Sequence, residues 1–183
     1  MDGKDYYQKF LVGDESALAE IIRLYKDGLM LYLNGYVNDL SLAEELTEET
    51  FVKLVVKQPR FFGNASFKTW LYTVGRNVAM DHLRRSRGKD VSIDDCPEVA
   101  DEEQDLERSY LQEEERLLVH RAMKLLKEEY RQILWLLYFE GFTHKEAARI
   151  LKKTTHNVET MAYRARKALK TKLLEEGFVY ERL

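Results

Sequence analysis

The stretch 143-THKEAARILKKTTHNVETMAYRARKAL-169 holds two helical patterns that meet across five residues with no glycine or proline. Thr143-His144-Lys145-Glu146 has the form of a capping box, in which the threonine hydroxyl and the glutamate carboxylate satisfy backbone amides at a helix start. Thr154 stands where a second N-cap is wanted. At 100° per residue, Val158, Ala162, Ala165 and Leu169 fall on one face and predict a helix packed by that face. The opposite face carries His156, Thr160, Tyr163, Arg164 and Lys167. A short helix, a tight turn and a longer helix with polar outer first turns is the arrangement that lets a helix enter a DNA major groove.

Composition between Thr143 and Lys172 agrees, with nine Lys or Arg against two Glu. Arginine bonds guanine bidentately and asparagine bonds adenine, while lysines near phosphates add salt-dependent affinity. A basic helix alone reads as a solvated face. The capping box, the small residues at the helix contact and the outward basic face together point to DNA.

The net charge of −3 hides a division along the chain. Residues 1–88 carry 12 basic and 12 acidic side chains, residues 89–115 carry 2 and 12, and residues 116–183 carry 15 and 8. A basic block is the electrostatic footprint of a polyanion partner. The acidic block lacks a sustained apolar stripe before Leu106 and predicts a flexible, self-repelling linker.

No run approaches the ~20 apolar residues of a membrane span, which predicts no direct membrane insertion, and the N-terminus has no signal-peptide pattern. Cys96, the single cysteine, excludes an intrachain disulfide and suits a cytoplasmic chain. Four scattered histidines predict no metal site, and the absence of a Gly-rich phosphate loop or a paired nucleophile and base predicts no catalytic site and no cofactor.

The rest of the chain reads as helix. Leu18, Ile21, Ile22, Tyr25, Leu29 and Leu33 recur at three and four. Ser41-Leu42-Ala43-Glu44 reads as another capping box, with Ala43, Leu46, Thr50, Phe51 and Leu54 as an inner face and Pro59 as the stop. After the loop 60-RFFGNASF-67, Phe67, Trp70, Leu71, Val74 and Val78 predict a core-facing side of a long helix. Thr69, Tyr72, Arg76, Met80, Arg84 and Arg87 predict an outward side of rings and cations, suited to a separated nucleic-acid strand. Leu117, Leu118, Arg121 and Leu125, then Tyr130, Ile133, Leu134 and Leu137, mark two further helices, with Gly141 as a left-handed stop. The expected fold is all-α: two small helical domains, 1–88 and 108–183, joined by an acidic linker over 89–107.

These residues resemble the extracytoplasmic-function (ECF) type of RNA polymerase sigma factor in the sigma-70 family. The resemblance rests on 39-DLSLAEELTEETF-51, on 61-FFGNASFKTWLYTVGRNVAMDHLRRSR-87, and on 128-EEYRQILWLLYFEGFTHKEAARIL-151 followed by 157-NVETMAYRARKALKTKL-173. It implies a region 2-like bundle, a region 4-like helix-turn-helix, and no chemistry of the chain's own. Leu46, Glu48, Glu49, Phe51 and Val52 would dock on the β′ clamp helices of core RNA polymerase, with further contact to the β subunit. Phe61, Gly63, Asn64, Ser66, Lys68, Tyr72, Arg76, Asn77, Met80, Arg84, Arg85 and Arg87 would read and melt a promoter −10 element, the loop holding one flipped base. Arg149, Lys152, Lys153, Thr155, His156, Asn157, Thr160, Tyr163, Arg164 and Lys167 would read the −35 element, with Arg149, Lys152 and Lys153 on phosphates. The resemblance also implies an anti-sigma partner and an acidic linker that mimics nucleic acid inside the polymerase.

Two other readings use the same residues: an operator-binding regulator that works without polymerase, and a sigma-like decoy that binds polymerase or an anti-sigma protein. One departure bears on the turn. Lys152 and Lys153 stand where the family carries a glycine and an apolar residue, so the turn is expected to change shape or the helix to run longer.

Overall fold

A computed structural model describes residues 2–86 and 118–175, and all regular structure among the described residues is helical. The segment expected to be the linker lies outside the described residues.

The first group has four helices: α1 (Gly3–Leu11), α2 (Glu15–Val37), α3 (Leu40–Lys57) and α4 (Phe67–Ser86). Asp2 and Asp5 form a capping box at α1, and Asp14 caps α2 through the Ser16 amide at 3.1 Å. The expected box at Ser41 is not used. Asp39, extended at φ −142°, accepts from the Leu42 amide at 3.0 Å and starts α3 earlier, placing Ser41 inside the first turn. Glu44 is thereby released to pair with Lys26 at 2.9 Å. α3 ends at Lys57, where Gln58 turns left-handed before Pro59.

Ile21, Leu29 and Leu33 of α2 pack with Leu46 and Leu54 of α3 and Leu71 and Val78 of α4, all buried. Each such side chain contributes about 1.5–3 kcal/mol on burial. Buried Thr47 and Thr50 satisfy their hydroxyls on the Ala43 and Leu46 carbonyls at 2.7 and 2.8 Å, so neither leaves an orphaned donor. A second cluster of rings (Tyr7, Phe61, Phe67, Trp70) closes α1 over the loop before α4. Tyr7 also donates to the Pro59 carbonyl at 2.8 Å, and burial pushes its phenol up to about 12.

The second group begins with a helical segment, α5, over 118–124. α6 (Glu128–Leu134) runs into one π-helical turn at Trp135–Phe139, and Gly141 supplies the expected left-handed turn at φ 70°. α7 (His144–Leu151) and α8 (Thr155–Glu175) complete the group. Leu125 is exposed rather than inward, because α5 ends before it and Leu126 takes the buried position. Alanines 147, 148, 162 and 165 are buried between α6, α7 and α8, where small side chains let helices approach closely.

Candidate nucleic-acid interface

α7 and α8 form the helix-turn-helix. Thr143 Oγ1 accepts from the Glu146 amide at 3.2 Å, and Glu146 accepts from the Thr143 amide at 3.0 Å, so the box is complete. α7 stops at Leu151 as a glycine-terminated helix would, although Lys152 is the residue that turns left-handed, at φ 54° and ψ 45°. Lys152 thus takes up the left-handed conformation itself, and α7 does not run on past Leu151. The turn's stability comes from the Lys153 amide, which caps the Ala148 carbonyl at 2.9 Å, and from Thr154, which accepts from the Asn157 amide at 3.2 Å to begin α8.

Val158, Ala162 and Ala165 are buried as the period predicts, and Leu169 is half-buried. Lys152, Thr155, His156, Asn157, Tyr163, Arg164 and Lys167 are exposed, with Thr160 half-buried beside them. Two of the expected phosphate contacts are engaged elsewhere: Lys153 lies 3.4 Å from Glu129, and Arg149 donates to the Asn64 carbonyl across the two helical groups.

The loop before α4 is pinned at both ends. Phe61 is half-buried, its ring 5.4 Å from Trp70 and 5.8 Å from Phe67, so it belongs to the core rather than to an open reading face. Ser66 Oγ accepts from the Thr69 amide at 3.1 Å and caps α4. Between them Gly63 adopts φ 72° in open space, with Asn64 exposed beside it. Phe62, which sequence reasoning passed over, is the exposed ring of this loop at 76%. Its only signal is the Phe-Phe doublet, and the ring cluster decides which of the pair turns inward.

The outward face expected on α4 is not all outward. Thr69 and Tyr72 are buried, covered by α7 and by the segment Glu140 to Phe142 that leads into it. The Tyr72 ring lies 5.1 Å from Phe142, and burial, reinforced by the charge of Glu140, pushes its phenol well above the ordinary value. Lys68 is half-buried, with its ammonium 2.8 Å from Glu140 Oε2 and 4.9 Å from the Phe142 ring centre. Arg76, Asn77 and Met80 are half-buried, and Arg84 and Arg85 are exposed, Arg84 pairing with Asp81 at 3.4 Å. Arg87 lies outside the described residues.

On the far side of the first group, α2 and α3 enclose a groove of about 530 Å³. Phe51, Val52 and Glu48, three of the residues named for polymerase docking, line it together with Ile22, Val55 and Val56. Leu46 does not line it, being buried in the core, and Glu49 faces Lys53 at 3.3 Å and Arg85 at 4.0 Å. Val56 is 73% exposed, an apolar rim of the kind that marks a protein contact.

Comparison with known proteins places these features in order. Sigma-70 region 2 matches residues 21–89, which contain the groove and the loop, and Sigma-70, region 4 matches residues 116–169, which contain the helix-turn-helix. The chain belongs to the sigma-70 family. Among its relatives are the RNA polymerase sigma-H factor of Pseudomonas aeruginosa, 28% identical over 166 residues and 86% of each chain, and the ECF sigma factor SigM of Bacillus subtilis, 29% identical over 82% of this chain and 91% of that one. Two solved structures share the fold: CnrH in complex with the cytosolic domain of CnrY (TM-score 0.66, 19% identity, 97% of this chain and 100% of that one), and RpoE in complex with the anti-sigma factor NepR from Bartonella quintana (TM-score 0.68, 23% identity, 87% and 98%).

The sigma factor is thus of the ECF type, an alternative specificity subunit that directs transcription initiation, and its family is non-catalytic. No helix among its described residues is long and apolar enough to cross a membrane.

Proposed function

We propose that this sigma factor divides its work at the boundaries expected from the sequence. Residues 1–88 bind core polymerase and open the −10 element, residues 89–107 span the gap, and residues 108–183 read the −35 element. The observation that carries this reading is the order of parts: an apolar groove and a ring-bearing loop in the region 2 match, then an outward basic recognition helix in the region 4 match.

The α2–α3 groove is the polymerase contact, with Phe51 as its floor, Val52 and Val56 as its rim and Glu48 as its acidic edge. An apolar centre with a charged edge suits a helical partner surface such as the β′ clamp helices. The loop from Phe61 to Ser66 takes the unpaired −10 strand, and Arg84 and Arg85 hold its phosphates. Thr155, His156, Asn157, Arg164 and Lys167 meet the −35 duplex. An anti-sigma protein, the class of partner held by RpoE, would block the groove or the recognition helix. The protein acts in the cytoplasm, where polymerase and DNA are, and catalyses no step itself.

Run-off transcription from genomic fragments with core polymerase tests this. Protein-dependent starts that share upstream elements are the expected result, and Val52→Glu with Val56→Glu should abolish them by removing core binding. Core binding without starts would favour the decoy, and duplex binding without core binding an ordinary operator-binding regulator.

A further inference from the structure

Four buried side-chain polar atoms among the described residues find no hydrogen-bond partner, and three of them belong to residues that line one cavity. They are Asn34 Oδ1, Arg131 Nε and Trp135 Nε1. Native proteins leave few buried polar atoms unpaired, so three around one space call for an occupant. The cavity sits where α2 meets α5, α6 and the π-helical turn, and its volume is about 80 Å³. That is several times the room one buried water needs, about 10–15 Å³.

The charge around this space is one-sided. Arg131 lines it, His120 and Lys124 of α5 stand exposed at its edge, and no acidic residue among the described residues joins them. The Arg131 Nη groups donate to the carbonyls of Lys124 at 3.0 Å, Leu126 at 3.2 Å and Gly35 at 3.4 Å. Those bonds fix the guanidinium in place without supplying a counter-charge. Burial holds its pKa below the ordinary value, and the charge of Glu128, whose carboxylate accepts from the Gln132 amide at 2.7 Å, does not offset this. A half-buried cation with one N–H left over favours an anionic acceptor. The Trp135 indole, stacked on Phe139 at 4.5 Å, offers a second donor. Asn34 Oδ1 is an acceptor and asks the opposite of its occupant, a hydroxyl or an N–H.

We propose that this cavity binds a small hydroxy acid, whose carboxylate meets Arg131 Nε and Trp135 Nε1 and whose hydroxyl donates to Asn34 Oδ1. The cationic edge disfavours an amino acid, which would bring an ammonium group instead of the hydroxyl. A phosphate carries more charged oxygens than the cavity has free donors and would turn the rest against Leu31 and Met123. Water could pair the three atoms but would leave the cation unmatched. Binding stabilises the folded chain by mass action.

The test uses the full chain, isotope-labelled for NMR, with sodium lactate as the probe and sodium chloride and inorganic phosphate as references at matched ionic strength. The chain has two tryptophans, so Trp135 and Trp70 give separate indole N–H signals, assigned with Trp135→Phe. Lactate should shift the Trp135 signal saturably, with half-saturation at roughly 1–10 mM for so small a ligand, and leave the Trp70 signal in place. Asn34→Asp keeps the shape of the side chain and puts a carboxylate in the cavity, so it should abolish the response. Trp135→Phe keeps the ring and removes one donor, so the rise in thermal midpoint caused by lactate should require about tenfold more ligand. The midpoint of each variant without ligand shows that it is folded. A lactate response no larger than that to chloride, or one that persists unchanged in Asn34→Asp, would overturn the proposal. An equal response to phosphate would overturn it too, by marking a basic surface in place of a shaped site.

Discussion

Phe61 and Phe62 are neighbours in sequence and face opposite environments: the Phe61 ring sits 5.4 Å from Trp70 inside a cluster, and Phe62 is 76% exposed on the loop. Their alanine variants should therefore separate stability from strand opening. Phe61→Ala removes a half-buried ring and should lower unfolding free energy by about 2 kcal/mol, less than the full cost of a core phenylalanine. Phe62→Ala should change stability by less than about 0.5 kcal/mol. It should nevertheless weaken promoter opening about 5- to 100-fold, the worth of one lost base stack, with Phe62→Trp retaining activity. Urea unfolding measures the first effect, and 2-aminopurine fluorescence in the −10 strand measures the second. Equal opening by Phe62→Ala and the parent would remove Phe62 from the interface.

Lys152 offers a different separation. A lysine in the left-handed region is strained by roughly 1–2 kcal/mol, and part of any gain from glycine is lost to the entropy of a freer unfolded chain. Lys152→Gly should raise stability by about 0.5–1 kcal/mol, seen as a higher urea midpoint with an unchanged slope. If Lys152 also meets a phosphate, the same variant should weaken −35 duplex binding and reduce its salt slope by about 1. A variant that was more stable and bound DNA unchanged would assign Lys152 to the turn alone.

These residues also show which parts of the protein are legible before its structure is known. The inner face of α8 reads correctly because Val158, Ala162 and Ala165 all pack within one helical group. The Thr143–Glu146 box and the Gly141 turn read correctly because both are local. Thr69 and Tyr72 misread because α4 is buried on two sides, once by its own core and once by α7 and the Glu140 to Phe142 segment before it, and the second burial uses polar-tipped side chains that a hydrophobic period does not register. The groove was half legible. Phe51 and Val52 lie in a recognisable segment, whereas Ile22 and Val56 join them only when α2 and α3 pack side by side. Ser41 lost its cap to Asp39 because two cap residues compete for one helix start and backbone geometry chooses between them.

Glu146 links the helix-turn-helix to acid stability. Burial works against its charge, but hydrogen bonds from Thr143, Thr69 and Ser66 outweigh that penalty and hold its carboxyl below the ordinary value of 4.5. A carboxylate depressed in the folded state binds fewer protons there than in the unfolded chain, so its contribution is fully present above pH 4.5 and fades as pH falls through the lower folded value. Glu146→Gln removes the titration while keeping a residue that serves in capping boxes. The parent should be the more stable of the two near neutrality, and the difference should shrink steadily as pH is lowered from about 5 to 3. Urea midpoints across that range measure it. A gap that stayed constant with pH would mean that Glu146 acts through the geometry of its cap, with its charge contributing nothing to the fold.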